Sequence, residues 1–515
     1  MNKYTVAILS ALCLILPVSC NKPEPETPQP ETGSELYYVN MFAYNSMDVY
    51  YLWNEEISPA LKQWSKSVEE DPIAYVNEIR YKTPAGKDID KWTMLTDDYE
   101  NFSNSVAGIG LSFGFDFILA YGDESRKSVV GVVTLVYAGS PAEKAGFKRG
   151  DIFTQVNGIA MTGENYSKVL TEQFNSTSGC AFTFYDGRTS SKLTAVNMYE
   201  DPVFPCKVFD CKGKKVGYLF YNSFTLLSYE RLLEEFAKLK DEGVSELILD
   251  LRYNGGGYVT TLYALASMLA PEQAVKNNEV FETEVYNKIV AADLGGNPTV
   301  NFATDFSFDN NGTIVTYSTS GRNLGITKLY AIVTGDSASA SESILTGLIP
   351  YMDVEIIGEQ TYGKYCSGMI FSGSTWFSWY KDVLLKSKDN GGMGMSQEEY
   401  NKATKYTDNW GIYVMVSRYA DKNGNTPCMP DGFIPDIAAE DVPWDGYQLG
   451  DPEETMLKVA LKSAGYTSSS IRTKAPAAGG EQKNLLLLEE QIRRPEFGKL
   501  IVEPQNLPAG PISLR

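Results

Sequence analysis

From about Val216 the sequence alternates short apolar runs with helical patterns, and that alternation admits few architectures. Val216 to Phe224 is strand-like, and Tyr229 to Lys240 places Leu232, Leu233, Phe236 and Leu239 on one side of a helix. Leu247 to Leu251 reads as a buried strand. It runs through Arg252-Tyr253-Asn254-Gly255-Gly256-Gly257 into a helix over Tyr258 to Leu269. Strands follow at Leu329 to Val333, Val354 to Ile357 and Ile412 to Val416, with a helix at Ser341 to Tyr351. The pattern predicts an α/β core. Val275 to Asn323 and Ser372 to Asp408 read as polar loop insertions.

The chemistry is constrained by an absence, because none of the 515 residues is a histidine. A zinc site built on imidazoles is excluded, and no Cys-x-x-Cys occurs. No metal or other cofactor is implied. A serine nucleophile needs a base, and here a lysine or a carboxylate must supply it. The candidate lies in Ser337-Ala338-Ser339-Ala340-Ser341-Glu342, where Ser339 follows a strand and opens a helix. A helix N-terminus presents unpaired N–H groups and favours negative charge. The N–H of Ala340 is therefore placed to hold an oxyanion, and the Gly255–Gly257 run offers a second. The same residues also satisfy a capping box, Ser-x-x-Glu before an apolar run.

The net charge of −20 argues against nucleic acid as a partner. Lys3 followed by the apolar run Thr5 to Ser19 and Cys20 resembles a bacterial lipoprotein signal over residues 1–20, which implies lipidation of Cys20. The expectation is a protein of the cell envelope, at the outer membrane facing the periplasm or the cell surface, and touching the membrane through the lipid anchor. Residues 21–35, rich in Pro, Glu and Thr, read as a tether. Cys180, Cys206, Cys211, Cys366 and Cys428 remain, an odd number that leaves at least one thiol without an intrachain partner.

Residues 36–104 are aromatic-rich, with helical spacing around Tyr44, Met47 and Tyr51 and again from Asp71 to Tyr81. Gly108-Ile109-Gly110-Leu111 then precedes a strand at Val129 to Val136. Pro141 and Gly146 bracket a short helix, and Asn157-Gly158 marks a hairpin. Together these resemble a PDZ domain over residues 105–195. The resemblance makes Gly108, Ile109, Gly110 and Leu111 its carboxylate-binding loop, where a peptide tail adds to a sheet edge.

Four motifs then occur in series. They are Asp250-Leu-Arg-x-Asn-x-Gly-Gly, the Ser-rich motif, Gly358-Glu359-x-Thr361-Tyr362-Gly363-Lys364, and Gly432-Phe-Ile-Pro435-Asp436-Ile437. This series resembles the C-terminal processing peptidases, or tail-specific proteases, over residues 36–466. The resemblance implies a crotonase- and Clp-peptidase-like catalytic core over 196–466, with an inserted PDZ domain and an N-terminal helical domain. It also implies Ser339 as nucleophile, Lys364 as general base, and Ala340 with Gly256 as the oxyanion hole. The implied activity is a serine endopeptidase that cuts polypeptides near their C-termini. Many relatives carry a glutamine four residues after the lysine; here that position is Gly368. That departure keeps open an alternative, a catalytically silent peptide- or ligand-binding lipoprotein of the same fold. The assembly state is also open, a homo-oligomer included. In the last segment, 467–515, Ala475 to Gly480 is linker-like and Leu485 to Arg494 fits a short helix. Ser513-Leu514-Arg515 makes a poor PDZ ligand because its last residue is charged.

Overall fold

The computed structural model describes residues 33–174, 178–310, 313–467, 485–488 and 500–502. The signal segment with Cys20, nearly all of the tether and most of 467–515 lie outside these residues.

The expected α/β core is present as two sheets. The first runs, edge to edge, Ile437–Ala438, Asp353–Gly358, Lys328–Val333, Glu246–Asp250, Lys214–Phe220 and Lys207–Cys211. It is parallel except for the hairpin of its last two strands. Parallel strands covered on both faces need continuous apolar runs. Glu246–Asp250 shows why: Leu247 and Leu249 join the main core, while Ile248 points into a separate cluster with Met456, Leu457 and Leu461. The second sheet runs Gly257–Tyr258, Leu500–Val502, Cys366–Ser372, Gly411–Asp421, Val280–Tyr286 and Thr299–Asn301. Met94–Thr96 also pairs with its strand Gly411–Asp421.

The helix Ala340–Leu348 is buried along its whole length despite three polar residues after Ala340. Each polar group has a partner. Ser341 Oγ donates to the Asn254 carbonyl at 2.8 Å, and Ser343 Oγ to Glu282 at 2.6 Å. Satisfied hydroxyls can be buried at small cost. Gly347 lets the helix approach Phe281, whose ring would lie 2.2 Å from an added Cβ.

The N-terminal helices Glu35–Tyr50, Ser58–Trp64 and Pro72–Ile79 share one apolar cluster with the α/β core. Phe42 packs edge-on to Phe371 at 5.9 Å, and Asn287 donates to the carbonyls of Val49 and Tyr51. The two stretches expected to be loop insertions are structured. The first holds the strand Val280–Tyr286 and the hairpin Asp305–Asn310/Thr313–Ser318, whose Tyr317 stacks on Tyr229 at 4.5 Å. The second holds the helices Gly373–Trp379, Lys381–Leu385 and Gln397–Tyr406. A few buried aromatics (Trp376, Phe377 and Tyr380) anchor them, too few to set a visible period in so polar a sequence.

The PDZ section has its own core of Phe113, Phe115, Phe147, Phe153 and Phe182. Its sheet runs Leu486–Leu487, Phe115–Tyr121, Val129–Val136, Ile152–Val156 and Ile159–Ala160. Leu486–Leu487 is thus a strand rather than part of a helix, because an open sheet edge supplies its hydrogen-bond partners. A buried ion network seats this section on the core. Arg149 pairs with Asp441 at 2.7 Å and with Glu454 at 3.4 Å, and Arg252 pairs with the same two carboxylates at 2.9 and 2.6 Å.

Candidate active site

Ser339 caps the helix Ala340–Leu348 with φ 65° and ψ −111°, a left-handed backbone in a residue that carries a Cβ. Such a conformation costs on the order of 1–3 kcal/mol and persists only where surroundings fix it. Here Glu342 fixes it. Its carboxylate accepts the N–H groups of Ser339 at 3.0 Å, Gly363 at 2.7 Å and Lys364 at 2.8 Å, and the Thr361 hydroxyl at 2.6 Å. One buried side chain therefore holds both the serine turn and the lysine turn. The capping-box reading and the nucleophile reading describe the same residues at once. Burial pushes the Glu342 carboxyl up to about 7, against the four donors that favour its charged form.

Lys364 Nζ lies 3.4 Å from Ser339 Oγ and 3.0 Å from the Tyr413 hydroxyl. The Trp92 ring centroid is 5.3 Å from the same nitrogen. Ser339 and Lys364 are both 0% exposed. The Lys364 carbonyl accepts the Tyr419 hydroxyl at 2.7 Å, which pins the backbone of that lysine. Glu359 faces elsewhere, accepting the Asp441 N–H at 3.4 Å. Burial pushes the neighbouring Cys366 thiol up to about 12, so it is no competing nucleophile.

Tyr413 accounts for the glycine at 368. The strands Cys366–Ser372 and Gly411–Asp421 are antiparallel neighbours. A Cβ on Gly368 would meet the Tyr413 ring at 2.5 Å and the Met415 side chain at 2.4 Å. The phenol occupies the space a longer side chain at 368 would need, and its oxygen holds the lysine. Nothing local in the sequence marks Tyr413, which is 49 positions from Lys364 and sits in a core strand. Glu342 was visible only as a cap, and Trp92 only as one aromatic among many.

Ala340 opens its helix, where a backbone N–H has no intrahelical acceptor. Gly256 is placed differently from the expectation: its N–H donates to Asn254 Oδ1 at 2.9 Å. The Asn254 carbonyl accepts the Ala338 N–H at 3.1 Å, so this residue ties the glycine turn to the serine turn. The turn requires glycine. Gly257 has φ 142°, and a Cβ there would lie 2.4 Å from the Phe224 carbonyl oxygen. Gly108, Ile109, Gly110 and Leu111 are not brought to this site. Ile109–Ser112 pairs with Val196–Tyr199, Leu111 is exposed, and the turn that leads into the edge strand Phe115–Tyr121 is Phe113-Gly114. All five described cysteines are free thiols.

The chain is an α/β protein in which a strained serine at a helix mouth lies beside a buried lysine. The sequence pattern of peptidase family S41 matches residues 215–372, which contain Ser339 and Lys364, and that of a PDZ domain matches residues 132–173. These two matches make residues 215–372 similar to peptidase family S41 and residues 132–173 similar to a PDZ domain. It is 26% identical over 273 residues to a carboxyl-terminal-processing protease of Picosynechococcus sp., covering 52% of this chain and 55% of that protein. It is 25% identical over 271 residues to a probable CtpA-like serine protease of Staphylococcus epidermidis, covering 53% and 48%. The chain thus spans about half the length of the curated relatives it matches. A crystal structure of an S41 protease candidate from Bacteroides fragilis shares the fold, with TM-score 0.58 and 20% identity over 82% of this chain and 96% of that one.

Proposed function

We infer that this protein is a serine endopeptidase that cuts polypeptides near their C-termini, with Ser339 as nucleophile and Lys364 as general base. The observation that carries the reading is the 3.4 Å approach of a fully buried amine to a serine hydroxyl on a strained turn. Burial disfavours the ammonium form, so the amine lone pair is available to the hydroxyl proton while an N–H stays on Tyr413. Ser339 Oγ bonds to the scissile carbonyl carbon as its proton passes to Nζ. The oxyanion is held by the Ala340 N–H, with the Gly256 N–H joining once it leaves Asn254. Collapse breaks the C–N bond, and Nζ returns the proton to the leaving amine. Water, deprotonated by Nζ, then adds to the acyl-enzyme, and release of Ser339 Oγ restores the hydroxyl. The PDZ section takes the substrate tail as an added strand.

The test is labelling with a fluorophosphonate together with turnover of a peptide. Labelling is expected at Ser339 and absent in Ser339→Ala. Lys364→Ala is expected to slow turnover by about 10²–10⁴-fold. Unchanged cleavage by Ser339→Ala refutes the assignment. Envelope location rests on the Thr5–Ser19 run and Cys20 alone. Incorporation of labelled palmitate, lost in Cys20→Ala, is the expected result.

A further inference from the structure

PDZ domains bind peptides by adding them to an open sheet edge. In this chain that edge is taken. Leu486 pairs with Tyr121 and Leu487 with Ala120, both antiparallel, and the Leu488 N–H donates to the Leu119 carbonyl at 3.1 Å. The strand lies outside Phe115–Tyr121 on the side away from Val129–Val136. Its side chains are used as a bound peptide's would be. Leu488 is 6% exposed and joins the cluster of Phe113, Phe115, Val169 and Leu170, which combines the edge strand with the helix Tyr166–Phe174. Leu485 packs on the other face with Ile118 and Val132, while Leu486 and Leu487 stay half exposed.

The segment is tethered on both sides. Upstream, the helix Thr455–Ser463 belongs to the core. Downstream, Leu500–Val502 is a strand of the catalytic sheet, parallel to both of its neighbours, Gly257–Tyr258 and Gly368–Met369. Ile501 is fully buried there. A segment held at both ends acts at a high effective concentration, of the order of mM for short links.

We propose that Leu485–Leu488 is a built-in ligand of the PDZ groove, so that an extended apolar peptide gains the Phe115–Tyr121 edge only by displacing it. This rests on the peptide-binding reading of the PDZ section given above. The apparent affinity for an outside peptide is lowered by the fraction of molecules in which the edge is filled. The groove's preference is set by what fills it: an extended peptide with a leucine-sized residue seated where Leu488 sits.

The test compares the full native chain with Leu488→Asp, using a fluorescein-labelled synthetic peptide of residues 484–490 and its anisotropy. The variant places a charge in an apolar cluster and releases the strand. It is expected to bind the peptide about tenfold tighter or more than the native chain. Equal affinity in both chains overturns self-occupation and leaves the groove a peptide site. Binding to neither overturns both this proposal and the PDZ reading. Hydrogen exchange on the native chain decides the matter if the variant does not fold. A slowly exchanging Leu488 amide supports the proposal, and exchange at the rate of an unstructured peptide overturns it.

Discussion

In the proposed mechanism three side chains do the work of the missing imidazole, and each has a separable part. There Lys364 would carry the proton and Tyr413 would orient the amine, while Glu342 accepts the N–H groups of both turns. Tyr413→Phe keeps the ring that fills the space beside Gly368 and removes only the hydroxyl. One hydrogen bond of about 1 kcal/mol corresponds to roughly a fivefold loss, expected in kcat with KM little changed. Steady-state kinetics on one peptide check it. Glu342 makes a pH prediction whose two parts run in opposite directions. Its carboxyl titrates near 7 in the folded chain and near 4.5 unfolded, so the folded state holds the proton more tightly. Its contribution to stability is therefore full below about 4.5, declines as pH rises to about 7, and is flat above. Activity runs the other way, because only the carboxylate accepts all four donors. Glu342→Gln is expected to lose more activity at pH 8 than at pH 6. Urea unfolding at the two values should show a smaller decline in stability for the variant than for the native chain.

The helix Ala340–Leu348 matters as an element because its position sets the serine. It is wedged against Val280–Tyr286 through the contact at Gly347 and through Ser343 to Glu282. Gly347→Ala would improve helix propensity in isolation. In this packing its methyl group meets the Phe281 ring, backed by Phe302 at 5.4 Å. Overpacking of this kind costs about 1–3 kcal/mol. The expected result is lower stability by urea unfolding together with lost turnover, since the displaced helix carries Ser339 with it.

Over the whole molecule, the PDZ section and the α/β core meet at a buried charge network beside an apolar seam, where Leu135 and Tyr137 join the cluster of Phe220 and Met456. Burial alone would raise the Asp441 and Glu454 carboxyls. The two guanidiniums, Arg149 and Arg252, instead hold Asp441 below the usual range, and Arg252 first among them holds Glu454 low. Stability from both is present above the unfolded pKa and is lost as pH falls through the lowered folded values, below about 4. Arg149→Ala leaves buried carboxylate charge short of a partner, at a cost of about 3–5 kcal/mol. The expected outcome in calorimetry is a lowered melting temperature, with acid unfolding beginning at higher pH than in the native chain.

The strand and helix texture around the chemistry was legible in the amino-acid sequence, because each element there carries its own period. Glu246–Asp250 and Val259–Leu269 fall within a residue of where apolar spacing and turn residues put them, and Ala340–Leu348 ends three residues early. Ser339 and Lys364 were singled out there too, through the resemblance that the order of motifs carries, and the structure places their side chains 3.4 Å apart. Tertiary structure alone decided what depends on residues distant in the chain. Tyr413 meets Lys364 only because two strands align, and Gly256 points its N–H at Asn254 only because the turn closes that way. The leucines at 485–488 form a strand rather than a helix because an unfilled sheet edge offers hydrogen bonds that a short isolated helix cannot match. Local periodicity records which face of an element is buried; it does not record which neighbour buries it.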